Sequence, residues 1–217
     1  MRPLFIAVTT AAVSFAATAH AVVIEAYYDR ADFAAATSPT RVETFNAITE
    51  DTSFVDKTLS FGGVSIIAEN VNHGTLDAAP FSSVNFVVDQ SPYALVSLQS
   101  ANDVFRIVFD TPVQSFAADF SSLNARGGTN RDTAFSVLGQ SIALPTVTRV
   151  GDNSFFGIVS DTAFTEVEFT RSGRDSAFGI DNVQFAPVPV PAAGLLLGGV
   201  LVAGGVWSRR ARAGKAD

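Results

Sequence analysis

The chain of 217 residues contains no cysteine, two histidines, one tryptophan and one methionine. The absence of cysteine excludes disulfides, thiolate zinc sites and cysteine nucleophiles. His20 falls in the N-terminal segment, so His73 is the single histidine of the remaining chain. It lies in Asn72-His73-Gly74, a pattern that predicts a solvated turn residue, and a serine–histidine–aspartate site would have no other base. No G-x-S-x-G elbow, P-loop or dinucleotide fingerprint is present either.

Basic residues are scarce in the middle of the chain. Residues 22–188 contain nine Lys and Arg against twenty Asp and Glu. A surface that binds nucleic acid is rich in Lys and Arg because it neutralises phosphates. This charge balance therefore excludes nucleic acid as a partner.

The N-terminal segment has the three parts of a secretory signal peptide. Arg2 supplies the positive start, residues 4–17 are apolar or small, and Ala19-His20-Ala21 matches an A-x-A cleavage site. We therefore predict a signal peptide over residues 1–21, with cleavage before Val22. An exported domain without cysteine depends on packing, or on a bound ion, to stay folded.

The C-terminal segment also has three parts. Alternating prolines from Pro187 to Pro191 hold the chain extended and keep it out of a sheet. The uncharged stretch from Val190 to Trp207 is just long enough to be a membrane-spanning helix, and Trp207 suits the membrane interface. The basic end follows and contains Arg209, Arg210 and Arg212. Such a basic end stays on the cytoplasmic side, so the preceding domain lies outside.

This tail, residues 187–217, resembles the PEP-CTERM sorting signal and is most similar to the VPLPA-CTERM variant. The resemblance includes the helix and the basic end, and its motif consists of Val188, Pro189, Val190, Pro191, Ala192 and Ala193. Val190 stands where the eponymous motif has Glu. The resemblance implies a Gram-negative bacterium that makes extracellular polysaccharide, and cleavage by an exosortase-type protease. It also implies transient anchoring in the inner membrane, with the domain finally in the envelope, on the surface or in the medium. A plain C-terminal membrane anchor is the alternative.

The middle of the chain, residues 22–186, predicts an all-β domain. Turn residues recur at short intervals, and the segments between them are rich in Val, Ile, Phe and Thr. Asp29 and Asp32 predict one short helix that begins with a capping box ahead of Phe33. The predicted strands are Arg41–Phe45, Val64–Ala68, Val84–Val88, Ala94–Leu98, Val104–Phe109, Val113–Phe120, Ala134–Leu138, Phe155–Val159, Phe164–Thr170 and Phe178–Phe185.

Short motifs in this domain resemble those of the jelly-roll sandwiches often attached to such tails. They are Asp29-Arg30-x-x-Phe33, Val42-Glu43-Thr44-Phe45-Asn46, Phe61-Gly62-Gly63-Val64 and the segment from Phe178 to Phe185. The last motif is also similar to the final strand of concanavalin-like and galactose-binding-like modules. The resemblance implies a jelly-roll sandwich flanked by the signal peptide and a single membrane helix.

One pair of acidic residues is a candidate catalytic site. In Glu166-Val167-Glu168 the two carboxylates lie on one face of a strand, about 7 Å apart. Glycosidases use two such carboxylates. Alternation turns Val167 and Phe169 inward, however, and the domain lacks the tryptophan platforms that usually bind sugar rings. A solvated acidic face is therefore the favoured interpretation.

A second acidic pair is a candidate metal site. Alternation places Glu43 with Phe45, and Asp181 with Val183, on the apolar sides of their strands. A buried carboxylate has to be hydrogen-bonded, paired or metal-bound. The first and last strands of jelly-rolls often lie side by side, and the similar modules often hold calcium there, so we predict a structural Ca²⁺ site at this pair. A β-bulge that turns Asp181 outward, or an ion pair with Arg41, is the alternative.

Two functions fit these patterns. The favoured one is an exported, non-catalytic surface or matrix protein that is sorted by an exosortase and associates with extracellular polysaccharide. The alternative is a polysaccharide-active glycosidase that uses Glu166 and Glu168. No cofactor other than Ca²⁺ is indicated.

We expect a chain truncated before Val188 to be released as a soluble, folded domain into the periplasm or the medium. The last predicted strand ends at Phe185, ahead of the alternating prolines, so the tail should not contribute to the core. Fractionation and limited proteolysis check this. A truncated chain that is unfolded or degraded at once would show that the tail belongs to the core.

Overall fold

A computed structural model describes residues 21–37, 41–78, 86–89, 92–125, 132–173 and 175–188. Residues 1–20 of the predicted signal peptide lie outside these ranges, as do most of the sorting motif, the predicted membrane helix and the basic end. Within the described ranges, no helix has the length and apolar character needed to cross a bilayer. The signal peptide and the sorting tail therefore stay predictions.

The described chain is almost entirely β-structure. Its one helix is α1 (Arg30–Ala36). Its strands are β1 (Ile24–Tyr27), β2 (Arg41–Glu43), β3 (Thr52–Ser53), β4 (Thr58–Phe61), β5 (Val64–Glu69), β6 (His73–Asp77), β7 (Tyr93–Leu98), β8 (Val104–Ser121), β9 (Thr133–Val137), β10 (Gln140–Ile142), β11 (Asn153–Arg171) and β12 (Ser176–Pro187).

All these strands belong to one sheet, and neighbouring strands pair antiparallel. The order along the main path is β10-β9-β11-β8-β12-β7-β6-β3. An isolated bridge between Val55 and Ala68 is parallel. The prediction of an all-β domain with one short helix is confirmed.

Two long strands organise the sheet. The sequence predicts β8 and β11 as two shorter strands each, because turn residues such as Thr111-Pro112 interrupt the apolar pattern. The structure instead has continuous strands of 18 and 19 residues that pair with each other along most of their length. Residues 110–112 and 161–163 are exposed, and the β8–β11 register shifts beside 161–163, so the strands bend there rather than end.

The bends divide the sheet into two layers around one core. The first half of β8 and the second half of β11 pair with β5 and β9, and we call this part the first layer. The other halves pair with β12 and β1, and we call this part the second layer. Phenylalanine rings meet across the gap: Phe105 of the first layer lies 6.2 Å from Phe178 of the second, and Phe169 lies 5.8 Å from Phe120.

Several strands differ from the predicted set. Strands β1, β3, β4, β6 and β10 were not predicted, and residues 86–88, predicted as part of a strand, lie in a loop. His73 is exposed, as expected, but it begins β6 instead of lying in a turn. The segment from His73 to Asp77 has little apolar content, so its strand forms by pairing with β7 and not from intrinsic preference.

Helix α1 covers part of the outer face of the second layer. The Asp29 Oδ1 atom accepts hydrogen bonds from the backbone N–H groups of Ala31 (2.7 Å) and Asp32 (3.2 Å), which confirms the predicted cap. Phe33 is fully buried against the sheet. A Cβ at Gly157 would lie 2.8 Å from both Phe33 and Ala117, so the helix requires glycine at this position of β11.

We expect Phe169→Ala to destabilise the domain by about 3–5 kcal/mol, because it empties the centre of the core. Phe169 is fully buried, and the centroids of five other phenylalanine rings lie 5.1–6.3 Å from its own. Urea unfolding measures the change, with Val42→Ala, at a side chain 51% exposed, as the control. Equal stability of the two variants would contradict a core centred on Phe169.

Candidate functional site

A pocket lined by both polar and apolar residues lies on the outer face of the second layer, and we call it the outer pocket. Its volume is ≈ 270 Å³. Helix α1, the loop before β7, strand β8 and the start of β11 contribute its walls. The lining residues are Arg30, Val88, Asp89, Asp119, Asn153, Ser154 and Phe155.

A β-bulge in β12 places an asparagine beside two carboxylates that line this pocket. Asp181 pairs with Asp119 of β8, but the next paired residue is Gln184, which lies opposite Ala117. Two residues of β12, Asn182 and Val183, therefore face a single residue of β8. Asn182 has a positive φ of 52°, which asparagine tolerates better than most residues.

A hydrogen-bonded network connects the walls of the pocket. The Arg30 Nη2 group donates to both carboxylate oxygens of Asp119. The Asn182 Nδ2 group donates to Asp119 Oδ2 at 2.9 Å and to Asp89 Oδ2 at 3.2 Å. The Arg30 Cζ atom lies 4.9 Å from the centroid of the Phe155 ring, a cation–π contact. Five separate segments are thus held together around the pocket.

Small residues on the outer face let the covering segments approach the sheet. A Cβ at Gly179 of β12 would lie 2.0 Å from the backbone oxygen of Phe86, so the loop before β7 rests directly on this strand. Val88 and Tyr93 pack together above β7 in a small apolar cluster separate from the main core. Tyr93 Oη donates to Asp77 Oδ2 at 3.1 Å and anchors the cluster.

The bulge also changes the geometry at the predicted calcium site. Strands β2 and β12 do lie side by side, and Glu43 pairs with Val183. Ile180 and Val183 both belong to the core, so the bulge places Asp181 on the outer face while Glu43 stays on the core side. The Glu43 Oε1 atom accepts from the backbone N–H of Phe45 at 2.9 Å.

The alternative of a β-bulge that turns Asp181 outward is the arrangement present, and a calcium site at Glu43 and Asp181 stays a prediction. Asp181 nevertheless stays fully buried, beneath the segments that cover the outer face. In the ranges that the structure describes, no group of three or more His, Cys, Asp or Glu is arranged to hold a metal ion.

The candidate catalytic pair lies on the outer face of the first layer. Val167 and Phe169 are buried and Glu166 is exposed, as alternation predicts. Glu168 is only half-buried and accepts from Arg106 Nε at 3.0 Å. Arg106 also binds Glu69 at 2.9 Å, so the three side chains form one ion-pair network across neighbouring strands.

Two opposing effects act on the guanidinium of this network. Partial burial lowers the pKa of Arg106, but the hydrogen bonds to Glu69 and Glu168 raise it and outweigh the burial, so the pKa lies above its ordinary value. Arg106 is therefore charged at neutral pH, and it remains a constant partner for Glu168.

Glu166 lines a separate cleft of ≈ 400 Å³ at the bends of the long strands. The other lining residues among those described are Pro112, Leu138, Gly139, Ala163, Phe164 and Thr165. Glu166 is the single carboxylate in this lining, and Glu168 is engaged with Arg106. The structure thus places the two predicted carboxylates on one face but does not bring them into one pocket.

The sequence-based reasoning missed Asp89 and Asp119. Asp119 stands alone in an apolar segment, Phe116-Ala117-Ala118-Asp119-Phe120, and a lone acid in a buried strand is the signal that would have identified it. Arg30 and Asn182 belong to motifs that the sequence analysis recognised, but only as markers of the fold.

No known protein family and no curated protein matches this chain. Among solved structures, the chain is similar to a substituted catalytic domain of a GH87 alpha-1,3-glucanase in complex with tetrasaccharides. The identity is 10% and the TM-score 0.37, over 71% of this chain and 29% of the glucanase chain.

The chain is also similar to the enzymatically active domain of tailspike protein 4 from bacteriophage CBA120. That match has 16% identity and a TM-score of 0.29, over 67% of this chain and 20% of the tailspike chain. The chain thus spans less than a third of either structure. Similarity at this level does not extend to a site or an activity.

We expect a double-mutant cycle on Arg30→Met and Asp119→Asn to give a coupling energy of about 1 kcal/mol. One Nη2 group contacts both carboxylate oxygens, but half of the Arg30 side chain is exposed to water. The matched control is the cycle on Arg171→Met and Asp175→Asn, a pair four residues apart whose carboxylate side chain is 60% exposed, for which we expect no more than about 0.5 kcal/mol. Urea unfolding measures both cycles, and equal coupling in the two would contradict a structural role for the network.

Proposed function

We propose that this chain is an exported, non-catalytic cell-surface or matrix protein that displays a jelly-roll sandwich of the concanavalin-like or galactose-binding-like kind. The two antiparallel layers around one core support this architecture. One observation carries the functional proposal: the core of the described residues lies within the boundary set by the predicted leader and the sorting motif.

The ends of the fold support this boundary. The backbone N–H of Val23 donates to Asp161 Oδ1 at 3.1 Å, and that of Val188 donates to the Pro112 oxygen at 3.0 Å. The apolar residues that form or pack against the main core run from Ile24 to Phe185. The described core thus lies between the predicted leader and the predicted tail, which is the organisation expected of a domain presented outside the cell.

The proposed route begins with the signal peptide and ends with the tail. After export, the segment 190–207 anchors the chain in the inner membrane, with the folded domain outside and the basic end inside. An exosortase-type protease then cuts at the motif, residues 188–193, and frees the domain for the envelope, the surface or the medium. The alternating prolines support cleavage there, because Pro189 and Pro191 have no backbone N–H to donate to a neighbouring strand.

The ion pairs of the first layer support a non-catalytic role. A glycosidase needs one carboxylic acid that gives a proton and a second carboxylate that acts on the sugar or on water. Glu168 is tied to Arg106, which also binds Glu69, and this arrangement stabilises the sheet surface. Glu166 in the cleft at the bends is the observation that favours the glycosidase alternative.

We expect the full chain to bind an extracellular polysaccharide without hydrolysing it. Affinity electrophoresis in gels that contain single polysaccharides measures binding, and the release of reducing ends measures turnover. Wild type and Glu166→Gln should bind equally and release no reducing ends. Hydrolysis by wild type that is lost in Glu166→Gln, but kept in a control variant such as Glu50→Gln, would establish the glycosidase alternative instead.

A further inference from the structure

We propose that the outer pocket binds a single neutral sugar ring, at the end or on a side branch of a polysaccharide. The proposal rests on the carbohydrate association proposed above and assigns it to a site. The residues that carry it are Arg30, Asp89, Asp119 and Asn182, together with the Phe155 ring.

The pocket is organised before any ligand arrives. Asp119 is fixed from two sides, by the Arg30 guanidinium and by the Asn182 amide. The same amide nitrogen reaches Asp89, so both carboxylates keep a set position relative to each other. Phe155 supports the flat face of the guanidinium. A ligand would therefore find its partners already in place, which reduces the entropy lost on binding.

The mixture of donors and acceptors matches hydroxyl groups. Arg30 has further N–H groups besides the Nη2 group that binds Asp119, and Asp89 is an exposed carboxylate that accepts only. A sugar hydroxyl is both a donor and an acceptor, so neighbouring hydroxyls of one ring can accept from Arg30 and donate to Asp89. A purely apolar ligand would leave these groups without partners.

The charges around the pocket select against acidic sugars. Among the described residues that line the pocket, two are carboxylates, Asp89 and Asp119, and Arg30 is the one cation. A uronic acid would place a further negative charge among these groups, and like charges at short range repel strongly where water is partly excluded. The pocket therefore favours neutral rings.

The size of the pocket limits how much of a glycan it holds. Its ≈ 270 Å³ lies just below the range of about 300–1,000 Å³ that is typical of pockets for larger organic ligands. One ring fits this space better than a run of rings. The site would thus recognise a chain end or a branch, whereas a flat surface or a long groove would recognise a polysaccharide along its length.

In the experiment, the full chain is titrated with methyl glucoside, methyl galactoside, methyl mannoside and glucuronic acid. Saturation-transfer NMR measures the binding of each sugar. Asp89→Asn is the test variant: Asp89 is exposed with a φ of 51°, which asparagine adopts readily, so the fold should be kept. Asp56→Asn is the matched control, because Asp56 is also exposed with a φ of 51° and lies outside the pocket.

We expect at least one neutral glycoside to bind wild type and Asp56→Asn alike, and glucuronic acid not to bind. Asp89→Asn should weaken binding by about tenfold or more, since it removes a charged acceptor. Asn153→Leu, a second variant at an exposed position on β11, should also weaken binding because it fills the pocket. An unchanged melting temperature of each variant separates lost contacts from unfolding.

Three results would overturn the proposal. Glycoside binding that is unchanged in both pocket variants would place the sugar site elsewhere and leave the carbohydrate association intact. Polysaccharide binding by wild type with no binding of any neutral glycoside would have the same meaning. Glucuronic acid binding as tightly as the neutral glycosides would contradict the charge argument. If wild type binds neither glycoside nor polysaccharide, the carbohydrate association fails as well.

Discussion

The packing of phenylalanine rings between two halves of the same bent strands holds this domain together. The chain has no cysteine, so no disulfide can contribute to its stability. The continuous strands β8 and β11 run through both layers, and rings such as Phe105 and Phe169 reach from one layer into the other. Each layer would expose an apolar face without the other. The two layers are therefore expected to form together.

The outer face of the second layer is packed differently from the core. Gly157 and Gly179 carry no side chain, and this lets α1 and the loop before β7 lie directly on the sheet. The two covering segments leave a gap between them, and the gap is the outer pocket. Close packing and an open site thus depend on the same small residues. A larger side chain at either glycine would move a wall of the pocket.

The bulge at Asn182 links the core to this site. One extra residue in β12 changes which side chains face inward, so that Ile180 and Val183 both enter the core while Asp181 faces outward. The same irregularity sends the Asn182 amide to Asp89 and Asp119. In a regular strand, Asp181 would lie on the same face as Val183, and the Asn182 amide would not connect Asp89 to Asp119. The bulge is therefore a feature of the site and not a defect of the strand.

The sequence by itself was sufficient for the all-β class, the capped helix at Asp29 and most of the core strands. These features depend on local patterns: alternation of apolar residues, turn residues at short intervals and a side chain that can cap a helix. The sequence also predicted that Glu43 lies beside the final strand and that Val167 and Phe169 face inward. These predictions hold because side chains alternate wherever a strand is regular.

Only the tertiary structure decided the rest. Strands as polar as the segment from His73 to Asp77 exist because a neighbour pairs with them. Phe109 and Phe164 lie in continuous bent strands, since pairing between β8 and β11 outweighs the turn residues that follow and precede them. The outer pocket joins Arg30 directly to Asp119, 89 positions apart, and a bulge that no alternation pattern contains adds Asn182. Alternation determines which face a side chain occupies only until the register shifts, and a register is a property of two strands together.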